Sequence, residues 1–136
     1  MYKQLKQNFI QTTLGSILWF SFLASLIFYN KTVPFNFLWH IIGIGLLFGI
    51  TFGLVYPYFW KYATTGATTN IILSTIINLL CGLLGVYLFS TEMFSLITPY
   101  IWLVTLLTLI GHIIAFYFYS KHENKQQVKK LNQLLS

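Results

Sequence analysis

The chain has 136 residues, 57% of them hydrophobic and 7% charged, with a formal net charge of +6, a pI near 9.5 and a mean hydropathy of +0.72. An ordinary soluble domain carries about 25% charged residues, so this chain has too little charge to cover a water-exposed surface and falls in the membrane class. Its charges are eight lysines with Glu92 and Glu123, and they sit at the ends and in the gaps between apolar runs. That placement marks them as membrane-flank residues rather than a nucleic-acid footprint, and direct nucleic-acid binding is not expected.

About 20 mainly apolar residues are needed to cross a hydrocarbon core of about 30 Å. The first such run extends from about Phe9 to Tyr29. It is too long for the apolar region of a cleavable signal and has no small-x-small site before Asn30, so it is expected to remain in the protein. The break "NKTVPFN" follows, where Pro34 can open a second helix but not continue the first.

The second span covers about Phe37 to Phe59 and contains "GLLFGITFG", with Gly45, Gly49 and Gly53 at spacing four and Gly43 just off that line. Each glycine costs about 1 kcal/mol relative to alanine in a helix in water. In lipid the same residues let two backbones approach closely. This face therefore predicts helix packing, within the chain or between copies. His40 lies near the outer end of the span, within possible reach of Glu92 across the loops, and Pro57 is expected to end the helix.

The third span covers about Ala67 to Ser90. Ser74, Asn78 and Gly82 lie four apart, beside Asn70, Cys81 and Gly85, which makes this span the natural partner for the glycine face. An asparagine at mid-membrane is costly unless its amide is bonded, so Asn78 reads as inter-helix glue, with ion or substrate coordination as the alternative. The single cysteine, Cys81, reads as a small packing residue.

The fourth span covers about Leu96 to Tyr119, with Pro99 in its first turn and a stripe of Thr98, Thr105, Thr108, Gly111 and His112. His40, Glu92 and His112 are the candidate polar or titrating groups. No nucleophile, base and orienting group can be assembled from these residues, and no metal-ligand spacing exists. Catalysis, a cofactor and a metal are accordingly not expected.

Residues 120–136, "SKHENKQQVKKLNQLLS", form a basic amphipathic tail. Val128, Leu131, Leu134 and Leu135 share a face if the tail is helical, with Lys125, Lys129 and Lys130 elsewhere. Such a tail can contact anionic lipid or dock on a protein. Seven lysines fall on one side of the four spans (Lys3, Lys6, Lys61, Lys121, Lys125, Lys129 and Lys130), against Lys31 and Glu92 on the other. The positive-inside rule then places both termini in the cytoplasm. The expected fold is all-α: a polytopic cell-membrane protein with a four-helix transmembrane bundle over residues 1–119.

The glycine-rich "GIGLLFGITFG", the "YPYFW" that closes the second span and the terminal "KKLNQLL" carry a resemblance to a family. The chain resembles small four-span membrane proteins of unknown function from low-GC Gram-positive bacteria, often encoded beside LytTR-type DNA-binding regulators. It departs from them in the loop "KYATTGATTN", where acidic residues are common in the family. The resemblance implies a non-enzymatic membrane protein that restrains a cytoplasmic transcription regulator. Two alternatives stand beside it. One is a small transporter, channel or holin-like homo-oligomer built on the glycine face and Asn78; the other is an accessory or immunity-type subunit of another membrane protein. Two transporter comparisons fail on residues: the first span lacks the glutamate of small multidrug exporters, and the chain lacks the arginine of fluoride channels.

Overall fold

A computed structural model describes residues 1–135, and among them every regular element is a helix. Four helices are long and apolar enough to cross a membrane. Helix α1 spans Tyr2–Ile27. The second span, Phe37–Tyr62, is α-helical over Phe37–Phe48 (α2) and continues as two wider π-helical segments, Gly49–Val55 and Tyr58–Tyr62. Helix α3 spans Ala67–Phe89 and a short α4 spans Thr91–Ile97. A single 3₁₀ turn, Thr98–Tyr100, leads into α5, Ile101–Leu135.

Pro57 does not end the second span. A proline removes one N–H and its ring collides with the carbonyl four residues back, so an unbroken α-helix cannot pass through it. Here the helix widens on both sides of Pro57, and the Tyr56 amide bonds the Thr51 carbonyl five residues back instead of four. A wide turn of this kind absorbs the missing donor without breaking the rod. The span closes only after Tyr62, where Ala63 turns extended.

The second span is the centre of the fold. Along it α1 packs over both α2 and the first π-segment, α3 packs on α2, and α5 packs on α3. The glycine face therefore meets α1, not α3 as the sequence suggests. A Cβ on Gly53 would lie 2.7 Å from Phe9 Cα and 2.9 Å from its amide nitrogen, so the two backbones touch there. A Cβ on Gly49 would run into the Thr13 side chain, and one on Gly45 into Ile17. The reason is spacing: Phe9, Thr13 and Ile17 also recur every four residues, so two i±4 rows interdigitate.

Gly82 is a second correction. A Cβ there would meet nothing within 4 Å, so α3 makes no close approach at that position. It lines an apolar cleft of about 230 Å³ between α1 and α3, beside Phe20, Leu23 and Phe48. The tight contact of α3 lies one turn on, at Gly85, whose Cβ would sit 3.3 Å from Phe48 Cε2. Near the Phe28 end of α1 a cluster of Ile41, Ile44 and Phe89 is closed over by Phe28 and Phe37. Phe28 and Phe37 meet edge-on with centroids 5.6 Å apart, a favourable aromatic geometry.

Thr13 is buried, and its hydroxyl has no hydrogen-bond partner among the described residues. The hydrogen that replaces a Cβ on Gly49 points at this oxygen, the arrangement of a weak Cα–H···O contact at helix interfaces. Close contact with backbone cannot yield, whereas open space can. Gly53→Ala is accordingly expected to destabilise the fold by about 1–3 kcal/mol, and Gly82→Ala to be neutral or slightly stabilising, by up to about 1 kcal/mol. Thermal unfolding of the two variants in one detergent checks the contrast; equal melting temperatures would remove the close-approach account.

Candidate functional site

Three places gather the chain's polar chemistry. The first is a part-buried network between the second span, α3 and α5, to which the wide turns around Pro57 bring Tyr56 and Trp60. The Tyr56 hydroxyl lies 3.1 Å from the Ser74 carbonyl oxygen and also within hydrogen-bond distance of His112 Nε2. His112 is only 8% exposed. Its Nδ1 lies 2.7 Å from the Thr108 carbonyl one turn back. A carbonyl only accepts, so Nδ1 carries a hydrogen and Nε2 is the basic nitrogen of the neutral ring.

Trp60 extends the network. Its indole N–H donates to Ser74 Oγ at 2.9 Å, its ring stacks on Tyr56, and its carbonyl accepts from the Tyr119 hydroxyl at 2.9 Å. Ser74 is thus bonded twice and fully buried. Asn78 lies one turn further along α3 but makes no hydrogen bond among the described residues, so the expected glue is absent at that amide. Instead Asn78 lines a cavity of about 220 Å³ with Tyr56, Trp60, Thr108 and His112. Most of that lining is apolar, and the Asn78 amide, the Tyr56 and Thr108 hydroxyls and the His112 ring are its polar groups.

Asn70 performs the role expected of Asn78. It is 4% exposed, its amide donates to the Phe59 carbonyl at 3.2 Å, and its Oδ1 accepts from the Thr65 hydroxyl. It ties the end of the second span to the start of α3. Thr98 and Thr105 donate their hydroxyl hydrogens to carbonyls of their own helical turns.

The second place is the pocket of about 330 Å³ beside the 30–36 loop and the α3–α4 junction. His40, Glu92 and Lys31 all line it, so the structure brings His40 and Glu92 to one pocket, as their loop positions suggest. His40 does not bond Glu92, however. Its Nδ1–H donates to the Leu88 carbonyl at 3.0 Å.

The third place is the tail. It is one unbroken helix with the fourth span, 35 residues in all. On a helical wheel Val128, Leu131, Leu134 and Leu135 occupy an arc of roughly 120°. Lys125 and Lys129 flank one side of this arc and Lys130 the other, and all seven residues are exposed.

Comparison with known proteins finds no matching family model, no matching curated protein and no matching solved structure. No group of three or more histidine, cysteine or carboxylate side chains suited to a metal exists among the described residues.

His112 and Ser74 stand out in the sequence as polar residues within apolar spans, whereas Tyr56 and Trp60 appear there only within the "YPYFW" that closes the second span. The available signal was Pro57: a wide turn beside it rotates its neighbours, and both aromatics are within three residues. Asn70→Ala removes two side-chain hydrogen bonds, to the Phe59 carbonyl and from the Thr65 hydroxyl, at about 0.5–1.5 kcal/mol each, and is expected to cost about 1–3 kcal/mol. Ser74→Ala loses a single side-chain bond, worth about 0.5–1.5 kcal/mol. Unfolding temperatures in detergent, ranked Asn70→Ala below Ser74→Ala below the parent, check this.

Proposed function

We propose that the protein is a non-enzymatic membrane anchor whose projecting α5 helix docks and restrains a cytoplasmic protein. One observation carries this reading: α5 continues without a break from the fourth span into the tail. At 1.5 Å per residue its 35 residues are about 52 Å long, against a hydrocarbon core of about 30 Å. An amphipathic segment that buries its apolar face in lipid must lie in the plane of the interface. A rod continuous with a transmembrane helix cannot do so, so the apolar stripe from Val128 to Leu135 stands in water. An exposed apolar stripe rimmed by charge suits a helix-in-groove contact.

Lysine on both flanks favours an apolar groove with an acidic rim, and the lysine distribution favours a cytoplasmic location for it. The family resemblance favours a transcription regulator as the occupant. A second reading, a small channel or transporter, is supported by the cavity that Asn78 and His112 line; proton or ion flux in liposomes holding the purified protein tests it.

The docking reading is tested by mild-detergent purification of the full chain from its native host. Recovery of one acidic regulator at a defined stoichiometry is expected from the parent. Leu131→Lys with Leu135→Lys should lose it at least tenfold and release the regulator into the soluble fraction, while the membrane level of the protein is unchanged. Undiminished capture by that double variant, or capture of a membrane subunit alone, would overturn the proposal.

A further inference from the structure

We propose that His112, Tyr56 and the Ser74 carbonyl form a proton-binding site beside the cleft that Asn78 lines, and that it accepts one proton without moving a heavy atom. The inference goes beyond tail docking and does not depend on it.

The neutral state uses two of the three contacts. His112 Nδ1–H donates to the Thr108 carbonyl, and the Tyr56 hydroxyl donates to His112 Nε2. When Nε2 takes up a proton it becomes a donor, and the Tyr56 oxygen, which has free lone pairs, becomes its acceptor. The Tyr56 hydrogen must then find another acceptor. The Ser74 carbonyl stands 3.1 Å away in position to receive it. A backbone carbonyl has two lone pairs, so it can take this bond beside its helical one. The proton added comes from a water, leaving hydroxide to the solvent; the Tyr56 hydrogen only rotates about its C–O bond.

Without the Ser74 carbonyl, protonation would leave either Nε2–H or the Tyr56 O–H without a protein partner in a half-buried site, an unfavourable outcome. With it, every donor is matched in both states. His112 and the Asn78 side chain, which has no hydrogen bond among the described residues, both line the adjoining open cleft, so the ring is not sealed off from outside the bundle.

The surroundings limit the charge. The ionisable groups near the site are Tyr56 on the second span, Cys81 on α3 within electrostatic reach of Tyr56, and Tyr119 on α5, beside Trp60. Lys61 lines the neighbouring cleft beyond Tyr56 and Trp60. No carboxylate or lysine lines the cavity itself. The imidazolium is therefore held by dipoles and hydrogen bonds alone.

The test uses the full chain in lipid nanodiscs, labelled with ¹⁵N in the histidine ring and carrying His40→Gln and His122→Gln, so that only His112 reports. Between pH 5 and 8.5 the ring signals should move reversibly as one proton binds. The neutral form should show hydrogen on Nδ1. Trp60, left as the sole tryptophan by Trp19→Phe, Trp39→Phe and Trp102→Phe, should lose emission with the same midpoint, because imidazolium beside an indole quenches it. Tyr56→Phe removes the charge-assisted acceptor and should weaken proton binding about tenfold. A residue with a merely structural role would leave that affinity unchanged. Ring signals that stay constant over the range, a neutral form with its hydrogen on Nε2, or a Tyr56→Phe affinity within twofold of the parent would each overturn the proposal. The first two outcomes need no variant at Tyr56, so the test stands if that variant fails to fold.

Discussion

The close approach of α1 to the second span is the contact on which the other arrangements depend. Gly53 meets the Phe9 backbone, Gly49 meets Thr13, and Gly45 meets Ile17. In lipid, leucines gain nothing by leaving tails as apolar as themselves, so helix association rests on contact density and on polar bonds. Three glycines on one row remove the side chains that would hold the helices apart. This seam leaves the remaining faces of the second span free for α3 and α5. It explains how a chain with so few buried apolar residues holds its helices together: Ile41, Ile44, Cys81 and Phe89 are the buried hydrophobics among the described residues.

The wide turns around Pro57 are the second organising feature, and they lie on the same span as the glycine row. An α-helix that ended at Pro57 would leave Trp60 in a loop. Continued through five-residue turns, it carries Tyr56 and Trp60 along α3 and α5 as a ladder of rings. Phe48, Phe52, Tyr56 and Trp60 touch in succession, with centroids 5.3, 5.1 and 5.8 Å apart, the first two pairs tilted and the last stacked. Local widening of a helix is frequent at functional sites, and here it places the hydroxyl that faces His112.

A single rod, α5, links the polar network to the tail. His112 belongs to the network, and two turns later Tyr119 still donates to the second span at the Trp60 carbonyl. Beyond Tyr119 the helix leaves its neighbours, and its residues from Asn124 onward are exposed. The tail's direction is therefore set by packing around Trp60. A shift in that packing would move the far end of a helix about 22 Å further on, from Ser120 to Leu135 at 1.5 Å per residue.

The sequence by itself determined the helical class, the number of helices long and apolar enough to cross a membrane, and the single row that Gly45, Gly49 and Gly53 share, because these follow from length, hydropathy and residue spacing along the chain. His112 and Ser74 were legible as polar residues at depth, since lipid makes such residues conspicuous. The partners were not legible. Helix spacing showed that Gly45, Gly49 and Gly53 share a row, but both α1 and α3 present rows of the same period, and only packing decided for α1. Asn78 and Asn70 look alike in sequence; which amide finds partners depends on where the second span ends, and Pro57 by itself does not reveal that. Tyr56 met His112 for the same reason. A hydrogen bond between residues 56 positions apart depends on the rotation of two helices about their axes, and that rotation is a property of the packed structure alone.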